Sequence, residues 1–340
     1  GAERVTHQLG NDLSQNFHVT VVTLTNDTFA DPLYKKASLG FSDSPISKLW
    51  SIFYGPIALK KYCKENDIAL IVSHMERANF ISLLSGTATV AVVHNHKYLS
   101  KFINRLFIRF LYPRAVSIVA VSQGIEAKLQ ELFGLTNTTT IYNYFNLQEI
   151  NEKLMEPLLR EDQDFFKNNL HTFITIGRLT EQKAHPILLE AYTQANIPNS
   201  QLLIIGSGPD QALLEVQARN STKSQHIHFL GTRANVFPLL QASDTFVLSS
   251  RWEGFGLVLV EALAAGLPII STDCNSGPAE ILQQGDESFG ILTVVDDSVE
   301  LATAMEQSLG EPVDQSRQAG RATSFSKETI LPLWISLIGE

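Results

Sequence analysis

The sequence predicts an α/β protein built from two doubly wound units, in which parallel strands are covered by helices on both faces. In residues 172–295, short β-branched apolar runs recur about every 20–30 residues and alternate with helix-period segments. Runs that are apolar throughout are typical of parallel strands buried on both faces. Residues 18–122 repeat this pattern more loosely, and a chain of 340 residues is long enough for two domains.

The second half has the clearer pattern. Its predicted strands cover 172–176, 202–205, 227–230, 245–248, 268–272 and 290–295. Its predicted helices cover 186–195, 210–219, 236–242, 257–265 and 299–309. Because strands and helices alternate at this spacing, we expect the strands to lie side by side in one parallel sheet.

In the first half, the predicted elements are strands at 18–24, 69–73, 89–93 and 117–122 and helices at 2–14, 57–65, 101–111 and 125–132. A doubly wound unit ordinarily starts with a strand, whereas this chain opens with a helix and without a methionine. We therefore expect the first strand to be missing from an N-terminally truncated chain.

The domain boundaries follow from these elements and from a polar stretch between them. We predict an N-terminal domain at 1–150, a linker at 151–171, a second domain at 172–320, and a C-terminal helical segment at 321–340 that packs back on the first domain. Ligands of doubly wound sheets bind outside the carboxyl ends of the strands, so two such domains are predicted to face each other across a cleft.

Composition narrows the class of protein. The chain is 44% apolar and 18% charged, which excludes a disordered or fibrous protein. The net charge of −9, with +3 in residues 1–150 and −12 in the remainder, argues against general nucleic-acid binding. Cys63 and Cys274 are too few for a disulfide framework and indicate reduced thiols in a cytoplasmic protein. No apolar run reaches the ~20 residues of a membrane span.

Charged residues follow two of the predicted strands. Arg178 and Lys183 come after 172–176, where two cations suit a diphosphate, although a solvated basic turn is the alternative.

The strand at 245–248 leads through a glycine-rich turn to a helix whose free N–H groups can bind phosphate. Carboxylates there should contact hydroxyls, so Glu261 is predicted to accept from a ribose and Glu253 from a sugar. The alternative for Glu261 is a solvent-facing helix residue, but its apolar neighbours favour burial.

A nearby Gly-Ser-Gly-Pro turn, residues 206–209, is a weak dinucleotide signal. The complete fingerprint needs a third glycine where Gln211 stands, so a tight turn is the favoured interpretation and an NAD-dependent dehydrogenase is disfavoured.

The two glutamates form an E-x7-E pair within a larger set of motifs. With Gly-Arg-Leu and Lys183 upstream and Asn-Ser-Gly-Pro-Ala-Glu-Ile at 275–281 downstream, the pair resembles that of the retaining family-4 glycosyltransferases of GT-B fold. The similarity continues in Gly-Ala-Glu-Arg-Val at the start of the chain, Val-Val-His-Asn at 92–95, Ala-Val-Ser-Gln-Gly-Ile at 120–125, and Ile-Tyr-Asn-Tyr-Phe-Asn at 141–146. It covers nearly the whole chain, with Asn146 standing where the family usually has aspartate.

The resemblance implies a role for each matching residue. In the second domain the nucleotide sugar would be bound by Arg178, Lys183, Thr232, Arg233, Gly254, Phe255, Gly256, Leu257 and Glu261. Glu253 and His94 would be the catalytic residues at the donor sugar, with His74 and His96 as competing histidines. Gly1 would lie at the acceptor-side loop, and His74, at another strand end, is predicted to face the acceptor.

The resemblance also implies a metal-independent enzyme without a cofactor, in which Arg178, Lys183 and the helix N-terminus replace a cation. Asp162-Gln163-Asp164 has the form with which other glycosyltransferases bind a divalent ion, but it lies in the polar linker and is interpreted as solvated.

A basic stripe recurs every four residues in the predicted helix at 101–111. Its members are Lys97, Lys101, Arg105 and Arg109. Leu106 and Phe110 belong to the opposite, apolar side, while Ile108 and Tyr112 intrude on the basic face. The stripe is either the charged outer face of a packed helix or a contact with anionic lipid headgroups on the cytoplasmic side of a membrane.

The function predicted from this sequence is transfer of a hexosyl or N-acetylhexosaminyl group from a nucleotide diphosphate sugar, most simply a UDP-sugar, to a glycan or lipid-linked acceptor. The setting would be polysaccharide, lipopolysaccharide or glycoprotein-glycan synthesis. Two alternatives stay open at this point: a nucleotide-sugar 2-epimerase of the same fold, and a non-catalytic subunit that binds nucleotide sugars.

Overall fold

The structure, a computed structural model, describes residues 2–25, 33–42, 44–95, 102–310 and 313–339. The chain folds into two compact units. Unit 1 comprises Gly1–Tyr144 with Ile330–Glu340, and unit 2 comprises Phe145–Thr329. The division falls just ahead of the segment 151–171.

The described residues of unit 1 form six strands in two parallel sheets. The strands are β1 (Thr20–Thr23), β2 (Lys35–Ser38), β3 (Ile71–His74), β4 (Thr89–Val93), β5 (Ser117–Ala120) and β6 (Thr138–Thr140). The first two pair with each other, and the other four form a sheet in the order β3-β4-β5-β6. Every residue of β4 is buried, which explains its continuous apolar sequence.

The helices of unit 1 cover the four-stranded sheet and extend beyond it. They are α1 (Ala2–Leu13), α2 (Pro45–Glu65), α3 (Glu76–Ser85), α4 (Phe102–Leu111) and α5 (Gln123–Phe133). Ser44 caps α2 and Ser122 caps α5, each by accepting a backbone N–H with its side chain. The observed α2 begins at Pro45, well before the start predicted at residue 57, and neither β2 nor α3 was predicted.

Unit 2 is built on a six-stranded parallel sheet. Its strands are β7 (His171–Ile176), β8 (Ser200–Ile205), β9 (Ile227–Gly231), β10 (Thr245–Leu248), β11 (Ile269–Thr272) and β14 (Ile291–Thr293). Their order is β14-β11-β10-β7-β8-β9, so the chain runs outward from β7 in one direction and then returns to continue from β10 in the other. This is the order of a doubly wound sheet, and its switch point lies between β7 and β10.

Helices and one small hairpin complete unit 2. The elements are α6 (Leu147–Leu154), α7 (His185–Gln194), α8 (Gln211–Arg219), α9 (Phe237–Ala242), α10 (Leu257–Ala264), α11 (Pro278–Leu282), the hairpin β12 (Gln283–Gln284) with β13 (Glu287–Ser288), α12 (Ser298–Gln307) and α13 (Gln315–Ala322). A final helix, α14 (Lys327–Gly339), begins in unit 2 and ends in unit 1. The core of unit 2 packs Leu188 and Tyr192 of α7 and Leu301 of α12 around Phe173 and Val247 of the sheet.

The folded units agree with the predicted fold class, with parallel sheets and alternating helices in both halves of the chain. Both cysteines are buried and free of disulfides. In the described parts of the chain, no helix combines the length and the apolar character that crossing a bilayer requires.

Candidate active site

The predicted donor residues of unit 2 lie at the carboxyl edge of its sheet. The loop after β7 carries Lys183, and the loop after β10 carries Glu253. Lys183 Nζ lies 2.6 Å from Glu253 Oε1, and the two side chains are only 15% and 8% exposed. A lysine and a glutamate that are 70 residues apart in sequence therefore form a buried ion pair at the switch point of the sheet.

Lys183 is held in place by the backbone around it. It ends a single 3₁₀ turn, Glu181–Lys183, and the next residue, Ala184, has φ of +47°, a conformation that costs a non-glycine residue energy. A Cβ atom on Gly177 would lie 3.0 Å from Lys183 Cε, so the glycine makes room for the lysine stem. Ser249 Oγ donates to the Lys183 carbonyl at 2.8 Å, which ties the loop after β7 to the end of β10.

Glu253 is fixed by two serines that the sequence analysis did not single out. Ser250 Oγ donates to Glu253 Oε1 at 2.6 Å, and Ser276 Oγ donates to the Glu253 carbonyl at 2.8 Å. Both hydrogen bonds to the carboxylate end on Oε1, and Oε2 takes part in none with the described residues. The carboxylate can thus accept a further hydroxyl donor while it stays paired with the lysine.

The glycine-rich turn leads into α10 through Gly256, whose φ of +96° favours glycine. Phe255 is buried and its ring lies 5.5 Å from that of Phe325, so its side chain belongs to the packing of unit 2. Glu261 is 5% exposed on the helix, which supports the interpretation that α10 is buried around it. Gly254 and Leu257 flank the turn at the start of the helix.

Two further predicted residues lie on the neighbouring loops. Arg178 is exposed, and its guanidinium makes no hydrogen bond or ion pair with any residue that the structure describes. Thr232 Oγ1 lies 3.0 Å from Ser207 Oγ, which joins the loop after β9 to the loop after β8. The Arg178 guanidinium and the hydroxyls of Ser207 and Thr232 therefore lie on the loops after β7, β8 and β9, at the same sheet edge as the Lys183–Glu253 pair.

The structure corrects the prediction for the Asp-x-Asp segment, through a contact with Arg233. Arg233 Nη2 donates to Asp162 Oδ1 at 2.8 Å and Nε donates to Oδ2 at 3.2 Å, and Glu161 approaches at 3.2 Å. Asp162 is therefore a buried partner of Arg233 and not a solvated linker residue, since it is only 1% exposed. Arg233 thus has a carboxylate partner within unit 2, and its contact with the base stays a prediction.

Burial changes the acid–base properties of two neighbours of the ion pair. Burial and, next, the charge of Glu253 raise the pKa of the Cys274 thiol to about 12. Burial and then the positive charge of Lys183 lower the pKa of His185 to about 4. Cys274 is therefore protonated and His185 is neutral at pH 7, so neither adds a charge to the cluster.

In unit 1, the structure brings together the two histidines that were singled out. His74 ends β3 and His94 follows the adjacent parallel strand β4, so both lie at the same sheet edge. His74 Nδ1 lies 2.8 Å from His94 Nε2. Burial lowers the pKa of His94 to about 4, and burial together with the nearby His94 lowers the pKa of His74 well below its usual range. The pair is therefore neutral at pH 7, with one ring nitrogen donating to the other.

Comparison with known proteins decides the family. The family model described as Glycosyltransferase Family 4 matches residues 1–149, and the model described as Glycosyl transferases group 1 matches residues 160–324. The chain belongs to the family-4 glycosyltransferases of GT-B fold. The predicted family and enzyme class are thereby confirmed.

Two relatives of this glycosyltransferase differ in how much of their length is matched. An uncharacterized glycosyltransferase of Methanocaldococcus jannaschii is 29% identical over 71% of this chain and 64% of its own length. The N-acetylgalactosamine-N,N'-diacetylbacillosaminyl-diphospho-undecaprenol 4-alpha-N-acetylgalactosaminyltransferase of Campylobacter jejuni is 26% identical over 97% of this chain and 93% of its own length.

Solved structures share the fold of the glycosyltransferase along its whole length. The crystal structure of Anabaena HepE in complex with UDP superimposes with a TM-score of 0.81, at 20% identity, over 100% of this chain and 96% of that one. At this identity the likeness establishes the fold, and the predicted GT-B class is confirmed.

The glycosyltransferase has two residues beside the histidine pair that sequence reasoning missed. Met75, directly after His74, has φ of +74°, which is strained for a side chain of this size. Arg77, in the first turn of α3, has a buried Nη1 atom with no hydrogen-bond partner among the described residues. Backbone strain and a buried donor atom without a partner, both within three residues of His74 in the sequence, are features that often accompany functional sites. No sequence pattern signals either feature.

Several predicted residues of unit 1 lie outside the described residues: Gly1, His96, Lys97 and Lys101. The remaining members of the basic stripe, Arg105 and Arg109, are exposed on α4. The predicted orientation of this helix is wrong in part, because Ile108 is fully buried whereas Leu106 and Phe110 are 44% and 66% exposed. The helix rests on Ile108 and Leu111, so its outer face mixes arginines with apolar side chains.

Proposed function

We propose that this glycosyltransferase is a retaining enzyme that transfers a hexosyl or N-acetylhexosaminyl group from a UDP-sugar to a glycan or lipid-linked acceptor. The reaction would belong to polysaccharide, lipopolysaccharide or glycoprotein-glycan synthesis. The buried pair of Lys183 and Glu253 at the switch point carries the proposal, because it sets a cation and a carboxylate side by side where doubly wound sheets bind ligands.

Each group has a task in the proposed donor site. Lys183 has three N–H donors, of which Glu253 engages one at 2.6 Å, so the others can donate to the diphosphate. The exposed guanidinium of Arg178 and the backbone N–H groups at the start of α10 add positive potential for the same diphosphate. Oε2 of Glu253 accepts a hydroxyl of the donor sugar, and Glu261 accepts from the ribose.

The choice of UDP and of the acceptor class draws on the relatives. HepE has been solved with UDP, and the Campylobacter relative is named for a substrate linked to diphospho-undecaprenol. The role of His94 as a catalytic residue and of His74 as an acceptor-side residue follows from the family resemblance and from their mutual contact in unit 1.

The chemistry proposed here is orientation and charge stabilisation. The acceptor oxygen attacks the anomeric carbon on the face from which the diphosphate departs, and the departing diphosphate takes the acceptor proton. Lys183 and Arg178 stabilise the negative charge that develops on the leaving group. Metal independence is part of the proposal. It is supported by the family resemblance and by Arg233, which engages the buried Asp162 of the Asp-x-Asp segment.

The proposal also includes contact between unit 1 and an anionic membrane surface on the cytoplasmic side, through Arg105 and Arg109 together with Lys97 and Lys101. The mixed outer face of α4, with Phe110 beside Arg109, supports it because such a face suits the boundary between headgroups and acyl chains.

A product screen tests the proposal. The purified protein is incubated with UDP-glucose, UDP-galactose or their N-acetylhexosamine counterparts and with a lipid-linked acceptor extract, and the products are analysed by mass and by anomeric configuration. The expected result is addition of one α-linked residue, unaffected by EDTA and lost in Lys183→Ala. Conversion of the donor into its 2-epimer without an acceptor, UDP binding without turnover, or a β-linked product would each overturn it.

A further inference from the structure

The outer face of α2 exposes a row of large apolar side chains. These are Ile46, Leu49, Trp50, Phe53, Tyr54 and Ile57, each between 51% and 71% exposed. Their spacing of three and four residues places them on one side of the helix, and the row runs for about 17 Å along it at 1.5 Å per residue. We call these six residues the α2 stripe. Single exposed apolar residues are common, but a contiguous row of this length marks an interaction surface.

Packing on the other side of α2 keeps the stripe exposed. Ser51, Gly55, Leu59 and Cys63 are buried, and the last two form a core cluster with Ile81 of α3. A Cβ atom on Gly55 would lie 3.1 Å from Ile81 Cδ1, so the two helices approach closely at the glycine. Rotation of α2 to bury the stripe would remove this contact. The exposure is therefore built into unit 1.

The same face of the helix becomes cationic after Ile57. Lys60, Lys61 and Lys64 continue the spacing of the stripe and are all exposed. Glu65 is the only acidic residue of α2, and its contact with Lys61 is 3.8 Å long between side chains that are 60% and 74% exposed. Such a surface pair leaves the positive potential of this face largely intact. The face thus has an apolar half and a basic half in line.

We propose that α2 docks this unit on an anionic phospholipid bilayer. The α2 stripe would lie at the boundary between headgroups and acyl chains, and the long side chains of Lys60, Lys61 and Lys64 would reach the lipid phosphates. The charge of the basic half selects an anionic partner, and Trp50 and Tyr54, whose rings lie 5.1 Å apart, are the side-chain types that favour the membrane interface. A protein interface is disfavoured because its core is depleted of lysine.

This surface is separate from the residues of the proposed donor site. The inference deepens the membrane contact of the proposed function by placing the main docking surface on α2, and it does not depend on the proposed sugar transfer. Vesicle binding can be measured without any nucleotide sugar. A failure of the docking proposal therefore leaves the transfer proposal untouched, and the reverse also holds.

The test is cosedimentation of the full chain with vesicles of phosphatidylglycerol and phosphatidylcholine, compared with vesicles of phosphatidylcholine alone. We expect binding to the anionic vesicles, with a partition coefficient that falls at least about tenfold in Trp50→Ser/Phe53→Ser. In Lys60→Gln/Lys61→Gln/Lys64→Gln it should fall about a hundredfold. This fall should be larger than that in Arg105→Gln/Arg109→Gln, which removes the α4 contact of the proposed function.

Matched controls come from unit 2. Leu213→Ser/Val299→Ser removes two apolar side chains that are 64% and 65% exposed, and Arg160→Gln/Arg219→Gln removes two exposed charges. Neither control should change vesicle binding, and the circular dichroism of every variant should match that of the wild type. The proposal fails if the wild type ignores anionic vesicles, or if the α2 variants bind as well as the controls. It also fails if the α2 stripe proves to join two copies of the chain, seen as a dimer in sedimentation that Trp50→Ser/Phe53→Ser disperses.

Discussion

Nζ of Lys183 lies 2.6 Å from Oε1 of Glu253, and this contact joins the loops that follow β7 and β10. Because these strands are neighbours at the switch point, the pair stands where both halves of the sheet contribute a loop. Each partner compensates the buried charge of the other, while Ser250 satisfies part of the carboxylate. The pair is therefore both a structural element of unit 2 and the centre of the proposed donor site.

Removing either member of this pair should reduce both stability and activity. Lys183→Ala leaves Glu253 buried without its cation, and we expect a loss of about 3 kcal/mol in the free energy of unfolding, measured in urea. The same change should lower kcat/KM for sugar transfer at least about a hundredfold, because a charged donor to the leaving group is lost. Glu253→Gln keeps the shape of the side chain and removes its charge. It should also lose activity, but its loss in the free energy of unfolding should be smaller than that of Lys183→Ala.

The control for this prediction is the double variant Lys183→Ala/Glu253→Gln. It removes both charges, so its loss in the free energy of unfolding should be smaller than the sum of the two single losses by at least about 1 kcal/mol. Additive losses would show that the two side chains do not interact in solution.

The histidine pair predicts a dependence of stability on pH. In the folded protein His94 has its pKa lowered to about 4 from the ordinary 6.5, mainly by burial, and that of His74 is also lowered. Between pH 6.5 and pH 4 the unfolded chain binds protons at these positions and the folded chain does not, so stability should fall as the pH falls through this window. Above pH 6.5 both states are neutral and this contribution vanishes.

Urea midpoints at pH 5 and pH 7.5 measure the effect. His94→Gln should weaken the loss between the two pH values, whereas His18→Gln, at an exposed position, should leave it unchanged. Some dependence should remain in His94→Gln because the buried His185 also has its pKa lowered to about 4. An unchanged profile in His94→Gln would contradict the assignment.

Gly277 should tolerate no side chain, unlike a glycine that also has a positive φ but lies in open space. Gly277 has φ of +98°, and a Cβ atom there would lie 1.9 Å from the Phe255 carbonyl oxygen, in the turn that precedes α10. Gly231 has φ of +69° and no atom within 4 Å of such a Cβ. We expect Gly231→Ala to cost about 1 kcal/mol for its backbone angle alone. Gly277→Ala should cost at least about 2 kcal/mol more, because the turn must shift. Equal costs by thermal unfolding would mean that the turn is free to move.

The elements that the sequence predicted best are those whose local pattern matches their burial. The run at 89–93 became β4 without a change of bounds, because a strand covered on both faces is apolar at every position. The loops after β7 and β10 were found because charged residues and glycines follow apolar strands there. Their direct contact through Lys183 and Glu253 could not be read from the sequence, since it depends on which strands become neighbours.

The elements that were missed lack the usual pattern, in which apolar side chains recur at the buried positions of a helix or strand. The first three turns of α2 bury Ser51 and Gly55 and expose Trp50 and Phe53, so a prediction that places apolar residues inside fails there. Similarly, β2 consists of Lys-Lys-Ala-Ser and is mostly exposed, which carries no strand signal. Tertiary packing on Ile81, which no local window contains, decides the orientation of α2.

Arg233 offers a test that separates folding from donor binding. Its bidentate contact with Asp162, which is 1% exposed, predicts that Arg233→Met leaves a buried carboxylate without its cation and lowers the free energy of unfolding by about 3 kcal/mol. Arg233→Met/Asp162→Asn should recover part of this loss, because the uncompensated charge is gone.

If the guanidinium serves Asp162 and not the base, the UDP affinity of the double variant measured by calorimetry should stay within about threefold of the wild type, a difference of less than 1 kcal/mol in the free energy of binding. Arg219→Met/Asp164→Asn, at two exposed positions of the same unit, is the matched control and should change neither quantity. A drop in UDP affinity of tenfold or more in the stable double variant would instead support the predicted contact between Arg233 and the nucleotide.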